Sequence, residues 1–139
     1  MSTISTTRSI RITSIASATL LAALALSGCS AGAKDCGTGA SSPKAAMSGL
    51  IDAAQSKNAV DEACKYIDSD YSYDSDDIDA LKSQFPDGSS KVDITTGKSV
   101  DGGKQVLAAQ GGFSANYIAV KNSDGKWVLE VGTKKKSGK

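Results

Sequence analysis

The sequence predicts an α+β domain, with helices in its first half and strands in its second half. Between residues 43 and 85, apolar residues recur at the three- and four-residue spacing of amphipathic helices. From Lys91 onwards apolar and polar residues alternate, which is typical of half-buried strands. Helices followed by strands with short turns predict about three helices packed on one face of a curved, antiparallel four-stranded sheet.

The first two predicted helices occupy residues 43–67 and are separated by a polar break. Ser42 is a suitable N-cap and Pro43 suits the first helical position. Asn58 is placed to cap the second helix. The first helix should bury Met47, Leu50, Ile51 and Ala54, and the second should bury Val60, Ala63, Cys64 and Ile67.

The acid-rich stretch from Asp68 to Asp79 precedes a third predicted helix. Its alternating carboxylates suggest a calcium loop, but the glycine and glutamate that an EF-hand loop requires are missing from their positions. We therefore interpret the acids as favourable charges at the N-terminus of a helix from about Asp76 to Phe85, and we expect no metal site. Ile78, Leu81 and Phe85 should face the core, and Pro86 should end the helix.

Four strands are predicted after Lys91. Val92 and Ile94 should face inward on the first, and Asp101-Gly102-Gly103 is a turn signal. On the second, Val106 and Ala108 alternate with Gln105, Leu107 and Ala109, and Phe113–Lys121 alternates throughout the third. Asn122–Gly125 predicts a hairpin, after which the indole of Trp127 should pack against the helices with Leu129 and Val131.

Residues 1–29 have the anatomy of an export signal. Arg8 and Arg11 precede an apolar run that ends in Leu26-Ser27-Gly28-Cys29. This ending resembles a bacterial lipobox, and the resemblance implies cleavage between Gly28 and Cys29 and a diacylglyceryl group on Cys29. It predicts a lipid anchor in the cell membrane, with the domain on the extracytoplasmic side. The alternatives are an ordinary secretory signal with a chance cysteine and an uncleaved transmembrane anchor.

The lipobox also divides the chain. Residues 1–28 would be the signal peptide, and residues 29–42, rich in Gly, Ser and Ala, a flexible tether. Residues 43–133 would form a single domain, followed by a basic tail at residues 134–139. We interpret the tail as a solvated end, with contact to anionic lipid as the alternative.

Lipidation of Cys29 would leave Cys36 and Cys64 as a pair. In an oxidising compartment two such thiols favour a disulfide that joins the tether to the second helix. The alternative is two free cysteines, with Cys64 buried as a small apolar residue.

Charge and residue types exclude several function classes. Residues 58–101 carry eleven acidic residues and four lysines, whereas residues 102–139 carry seven lysines and two acidic residues. The charges almost cancel over the whole chain, at +1, which is not typical of a nucleic-acid-binding protein. The chain has no histidine, and the spacing of its cysteines fits no zinc or redox motif, so we expect no cofactor.

Three stretches resemble the NTF2-like, or cystatin-like, α+β domains of small bacterial lipoproteins. They are the broken helix pair 50–67 with DEACKYI near its end, the helix stop at Phe85-Pro86, and the closing hairpin SDGKWVLEV. The resemblance spans roughly residues 43–132 and implies helices packed on a curved sheet.

The absence of a catalytic constellation favours a non-catalytic binding or interaction domain. Its occupant would be a small apolar ligand or another envelope protein, held on the sheet face by Tyr66, Phe113, Tyr117 and Trp127. Plain core packing is the alternative role for these aromatic residues. A purely structural subunit and an NTF2-like isomerase or dehydratase, using an Asp base on a small apolar substrate, are the other hypotheses.

Overall fold

The computed structural model describes residues 35–137, and these residues form an α+β domain. The helices are α1 (Pro43–Ala54), α2 (Ala59–Ala63) and α3 (Ser75–Gln84). The strands are β1 (Tyr71–Ser72), β2 (Asp93–Val100), β3 (Gly103–Gln110), β4 (Phe113–Lys121), β5 (Trp127–Leu129) and β6 (Thr133–Lys134). Three helices and an open, antiparallel sheet in the order β2-β3-β4-β5 confirm the predicted class. The predicted signal peptide (residues 1–28), with Gly28 at the predicted cleavage site, and Cys29 lie outside the described residues.

Helix α1 follows the sequence prediction closely. The Ser42 side chain accepts a hydrogen bond from the Ala45 N–H at 3.1 Å, and Pro43 is the first helical residue. All four residues of the predicted stripe are fully buried: Met47, Leu50, Ile51 and Ala54. The periodicity therefore identifies the face of α1 that packs on the sheet.

Helix α2 is shorter than its apolar pattern suggests and continues as a 3₁₀ turn over Cys64–Tyr66. Asn58 stands at the N-cap but its side chain makes no capping hydrogen bond. Val60 is 39% exposed, so its predicted burial is wrong, whereas Ala63, Cys64 and Ile67 are buried. Five helical residues make little more than one turn, and only the C-terminal part of that turn reaches the core.

Helix α3 is fixed at its start by a capping box. The Asp74 carboxylate accepts hydrogen bonds from the N–H groups of Asp76 and Asp77, and the Asp77 side chain accepts one from the Asp74 N–H. Ile78, Leu81 and Phe85 are buried as predicted. The acids nearest the helix thus serve its first turn, which the helix dipole favours.

The sheet is built from three consecutive hairpins. Asp101 and Gly102 join β2 to β3 with φ angles of 45° and 83°, which suits a tight turn. Gly111-Gly112 joins β3 to β4, and Asn122–Lys126 joins β4 to β5. The core face of the sheet carries a row of buried small and apolar residues under α1: Ile94, Val106, Ala108, Ala115, Ala119 and Leu129.

A second, two-stranded ladder was not predicted. Tyr71 pairs with Lys134 and Ser72 pairs with Thr133, antiparallel. The Lys135 N–H donates to the Asp70 carbonyl at 2.8 Å, and Lys135 Nζ donates to the Ser69 carbonyl at 2.9 Å. The basic tail predicted from residue 134 therefore begins as a strand, because main-chain hydrogen bonds hold it to residues 69–72.

The N-terminal end of the described chain also differs from the sequence prediction. The N–H groups of Gly37 and Gly39 donate to the carbonyls of Cys64 and Lys65, both at 2.8 Å. Ala40 exchanges two main-chain hydrogen bonds with Trp127. Residues 37–40, predicted as part of a flexible tether that ends at residue 42, are thus hydrogen-bonded to the 3₁₀ turn after α2 and, at Ala40, to the first residue of β5. We call residues 36–40 the N-terminal clamp.

Candidate functional site

The four aromatic residues proposed to line one site lie at separate places. Phe113 begins β4, whereas Trp127 pairs with Lys121 at the other end of that strand. Eight residues of antiparallel strand span about 27 Å, so the two rings cannot line one small-molecule site. Tyr117 lies midway between them and pairs with Val106. The structure therefore does not bring together the site that the sequence predicted.

Tyr66 packs against a helix rather than the sheet face. Its ring lies against Gly49 of α1, where a Cβ atom would overlap the ring. The ring is half-buried at the edge of the core. This contact explains why α1 carries a glycine at that position, and it gives Tyr66 a packing role.

Trp127 packs against the core and makes contacts with two lysine ammonium groups. The half-buried ring packs against the core. Lys121 Nζ lies 5.4 Å and Lys104 Nζ 6.0 Å from the centre of the indole ring. Ammonium groups at such distances are attracted to the ring face. The indole therefore packs against the core on one side and lies beneath two lysines on the other. The sequence had predicted that it would be fully buried.

Phe113 is the most exposed large apolar residue in the described chain, at 56%. It lies in a shallow depression beside Ser83, Gln84 and Pro86, at the C-terminal end of α3. The sequence counted Phe113 among either lining or core residues, but its ring is largely in water. An exposed aromatic ring on an ordered strand is a candidate contact for another molecule.

A groove of about 380 Å³, which we call the edge groove, lies beside the middle of β4. It extends over the sheet from β2 and β3 to the residue that follows β5, and its walls are Val100, Gln105, Asn116, Tyr117, Ile118, Glu130 and Tyr71. The groove is open to solvent along its length, unlike the enclosed pockets that bury most of a small ligand. It therefore encloses a compact ligand poorly.

Acidic groups surround the phenols of the edge groove. Desolvation raises the pKa of Tyr71, and the Glu130 carboxylate, with Asp68 and Asp70, raises it further. Burial raises the pKa of Tyr117, with a smaller effect from Asp77. The phenols therefore remain protonated at neutral pH and can act as hydrogen-bond donors.

The N-terminal clamp is joined to the domain by a disulfide between Cys36 and Cys64. The side-chain amide of Asn122 donates to the Gly37 carbonyl at 2.7 Å, while its Oδ1 accepts from the N–H groups of Asp124 and Lys126. Gly39 has φ 71°, and a Cβ there would lie 2.7 Å from the Trp127 carbonyl oxygen. The clamp thus depends on a glycine where two main chains approach closely.

A second groove, of about 480 Å³, lies between the clamp, residues 68–70 and the Asn122 turn. Its walls are mostly polar and include Asp68, Asp70, Lys121 and Asp124. Charged side chains of both signs line this groove, so its electrostatic potential favours no single type of simple ion.

One polar network was missed by the sequence analysis. The Asp52 carboxylate accepts from the Ser89 N–H at 2.7 Å and from Ser89 Oγ at 2.8 Å, and Ser48 Oγ donates to Ser89 Oγ at 2.8 Å. These bonds attach α1 to the 3₁₀ turn at Gly88–Lys91. No periodic signal marks them, because the partners are 37 to 41 residues apart.

The polar and charged side chains of residues 35–137 lie at or near the surface. None of these residues is both buried and polar or charged. Within the same range, no group of three or more His, Cys, Asp or Glu side chains is arranged to hold a metal ion. No helix in the described part of the chain has both the length and the apolar character needed to cross a bilayer.

Comparison with protein-family models, with curated proteins and with solved structures yields no match to this chain.

Proposed function

We propose that this chain is a bacterial envelope lipoprotein, anchored through diacylglyceryl-Cys29, whose domain binds a partner without catalysing a reaction. The observation that carries the proposal is the position of the disulfide. Cys36, seven residues after the lipobox cysteine, is bonded to Cys64 within the domain. Disulfides form and persist in oxidising compartments, which supports an extracytoplasmic location.

The clamp supports a domain held close to the membrane. The chain between Cys29 and Cys36 spans at most about 25 Å when fully extended. From residue 37 onwards the chain is hydrogen-bonded to the domain. A mature protein anchored at Cys29 would therefore work next to the bilayer, where its partners would be other membrane or envelope proteins.

A protein partner is better supported than a small apolar ligand. The aromatic residues expected to hold such a ligand are spread along about 27 Å of β4. The larger grooves are open rather than enclosed, and exposed Phe113 lies outside both of them. Open grooves and a single exposed ring are typical of surfaces that contact another polypeptide.

We further propose the NTF2-like, or cystatin-like, type for this α+β domain. The order of elements supports it, since three helices precede a four-stranded antiparallel sheet that packs on α1. The broken helix pair, the stop after Phe85 and the closing hairpin are the features on which the resemblance rests.

The alternative of an NTF2-like enzyme requires an acid enclosed in a pocket, where its basicity is raised. Every acidic side chain in the described range is exposed or half-exposed. No observation on these residues favours the enzyme over the binding domain.

The anchor is tested by replacing Cys29 with alanine. We expect Cys29→Ala to abolish incorporation of a fatty-acid analogue and to shift the protein from the membrane to the soluble fraction, because the acyl chains are lost. The matched control is the double variant Cys36→Ser/Cys64→Ser, which removes the other two thiols and should keep full labelling.

Labelling of Cys29→Ala equal to that of the parent chain would refute the lipid anchor. Loss of labelling in the control as well, at an equal level of protein, would refute the assignment of the lipid to Cys29 alone.

A further inference from the structure

Strand β4 has an open edge over half of its length. It contains nine residues, whereas its outer neighbour β5 contains three and pairs only with Ala119–Lys121. The part of β4 from Phe113 to Tyr117 therefore has a strand on one side only, namely β3.

The hydrogen-bonding register identifies which main-chain groups point out of this edge. On the β5 side, the Asn122 N–H donates to the Lys126 carbonyl and the Glu130 N–H donates to the Ile118 carbonyl. Even-numbered residues of this ladder thus direct their N–H and C=O groups away from β3. By the same alternation, Ser114 and Asn116 direct theirs into the open edge.

The turn at Gly132 leaves these groups uncovered. A longer β5 would bring residues 132 and 134 opposite Asn116 and Ser114. Instead the chain turns at Gly132, with φ 81°, and β6 pairs with β1. Ser114 and Asn116 are exposed, and no hydrogen bond to their outward main-chain groups is found in the described part of the chain.

The opposite edge of the sheet is protected in a way that the β4 edge is not. Strand β2 has a register irregularity between Thr96 and Ser99, and this stretch contains Gly97 and Lys98. Bulges and lysines are common devices against edge-to-edge pairing. The open half of β4 is regular in register and contains no charged residue.

We propose that the open edge of β4 pairs with the same edge of a second copy of this chain, antiparallel and centred on Ala115. In this register Ser114 faces Asn116 of the second copy, and Asn116 faces its Ser114. Each pair exchanges two main-chain hydrogen bonds, so every free group of the edge acquires a partner. A register shifted towards Ile118 would compete for a carbonyl that Glu130 already uses.

The side chains support a second copy as the occupant. In the register centred on Ala115, Phe113 of each copy lies directly opposite Tyr117 of the other. Directly opposed aromatic side chains stabilise a strand pair. Phe113 is 56% exposed in the single chain, and the two-fold symmetry would form the Phe113–Tyr117 contact twice, once for each copy.

The charges on α3 are compatible with this symmetry. Asp77, in the first turn of α3, acts on Tyr117, and the last turn of α3 adjoins Phe113, so α3 runs antiparallel to β4 on the core side. The two-fold axis therefore places the acidic start of one α3 nearest the uncharged Ser83-Gln84 end of the other. The two acidic turns are kept apart.

The first test is sedimentation of the full chain with a proline on the edge. The N–H that Asn116→Pro removes points away from β3, so the hydrogen bonds between β3 and β4 are kept. In the dimer, the same substitution removes an N–H donor from each copy, and the proline ring obstructs the approach of the second strand. We expect the dimer dissociation constant to rise at least tenfold. Asn116→Ala, the matched control, keeps both main-chain groups and should stay within about twofold of the parent chain.

The second test identifies the register. The variants Ser114→Cys and Asn116→Cys are mixed and oxidised. Disulfide-linked peptides are then mapped by mass spectrometry, which distinguishes links between these positions from links formed by other cysteines. We expect the mixed 114–116 link to exceed each like-with-like link at least fivefold. Lys98→Cys on the β2 edge is the control and should give no enrichment.

A parent chain that stays monomeric at about 1 mM would overturn the proposal. Equal effects of Asn116→Pro and Asn116→Ala on association, with both variants folded by circular dichroism, would also overturn it. So would a different protein found cross-linked at positions 114 and 116. None of these results bears on fatty-acid labelling of Cys29, which tests the anchor separately.

Discussion

Trp127 shows how one side chain can serve both packing and charge. One part of its surface contacts the core, and two lysine ammonium groups lie over its ring at 5.4 and 6.0 Å. Neighbouring Leu129, on the same face of β5, is completely buried. Burial therefore differs along one face of the strand, since Trp127 is the first residue of β5 and Leu129 is the last.

We expect Trp127→Ala to lower the free energy of unfolding by about 2 kcal/mol, less than the 3–5 kcal/mol typical of a fully buried aromatic residue. Leu129→Ala, the matched control on the same strand, should cost about 3 kcal/mol because its side chain leaves a closed cavity. Urea unfolding of both variants makes the comparison. A larger loss for Trp127→Ala than for Leu129→Ala would show that the indole is the main core residue of β5.

The aromatic residues also show where the sequence analysis succeeded and where it did not. Alternation correctly placed Ala115, Tyr117 and Ala119 on one face of β4. It gave no weight to the distance along the strand, although Phe113 and Lys121 are eight residues apart in the sequence. Counting 3.4 Å per residue would have separated the proposed lining residues.

At the scale of elements, long periodic segments were predictable and short ones were not. Helix α1 and the longer strands β2, β3 and β4 offer enough residues for a period to show. Strands β1 and β6 have two residues each, which is too few for any alternation. Residues 37–40 have the composition of a linker, but main-chain hydrogen bonds hold them in place. Every sequence has the main-chain groups that form such bonds, so composition could not reveal this contact.

The N-terminal clamp is the element whose stability depends most on one covalent bond. The disulfide closes a loop with a sequence separation of 28. We expect Cys36→Ser/Cys64→Ser to lower the free energy of unfolding by about 3–4 kcal/mol, because the unfolded chain regains the entropy of that loop. Amide hydrogen exchange at Gly37, Gly39 and Ala40 should accelerate at the same time.

Cys29→Ser, which leaves the pair intact, is the control for thiol removal. A double variant with unchanged stability and unchanged exchange at Ala40 would mean that the hydrogen bonds alone hold the clamp.

At the scale of the whole molecule, the packing of helices on a sheet leaves the charged groups outside. The core is apolar throughout the described residues, and the acids of residues 68–79 lie on the surface. Three half-buried tyrosines, namely Tyr71, Tyr73 and Tyr117, are the groups whose pKa values the fold clearly raises. Burial is the largest cause in each case.

These raised pKa values predict a loss of stability in alkali. Above about pH 10 the unfolded chain releases phenolic protons that the folded chain still holds, so the free energy of unfolding falls as the pH rises through this range. Below pH 10 the same groups contribute no pH dependence. Urea midpoints between pH 8.5 and 11 measure the slope, and Tyr117→Phe should reduce it.

Leu107→Ala, an exposed substitution on the opposite face of the sheet, is the control and should leave the slope unchanged. A stability that rises with pH above 10 in the parent chain would contradict the raised pKa values.

The partners of the N-terminal clamp have a consequence for the order of folding. Gly37 is bonded to Asn122, 85 residues further along the chain, and Ala40 is paired with Trp127. The clamp therefore has no complete docking surface until the β4–β5 hairpin has formed. Contacts at such sequence separation close large loops and form slowly, so the first residues of the domain are among the last to reach their native place.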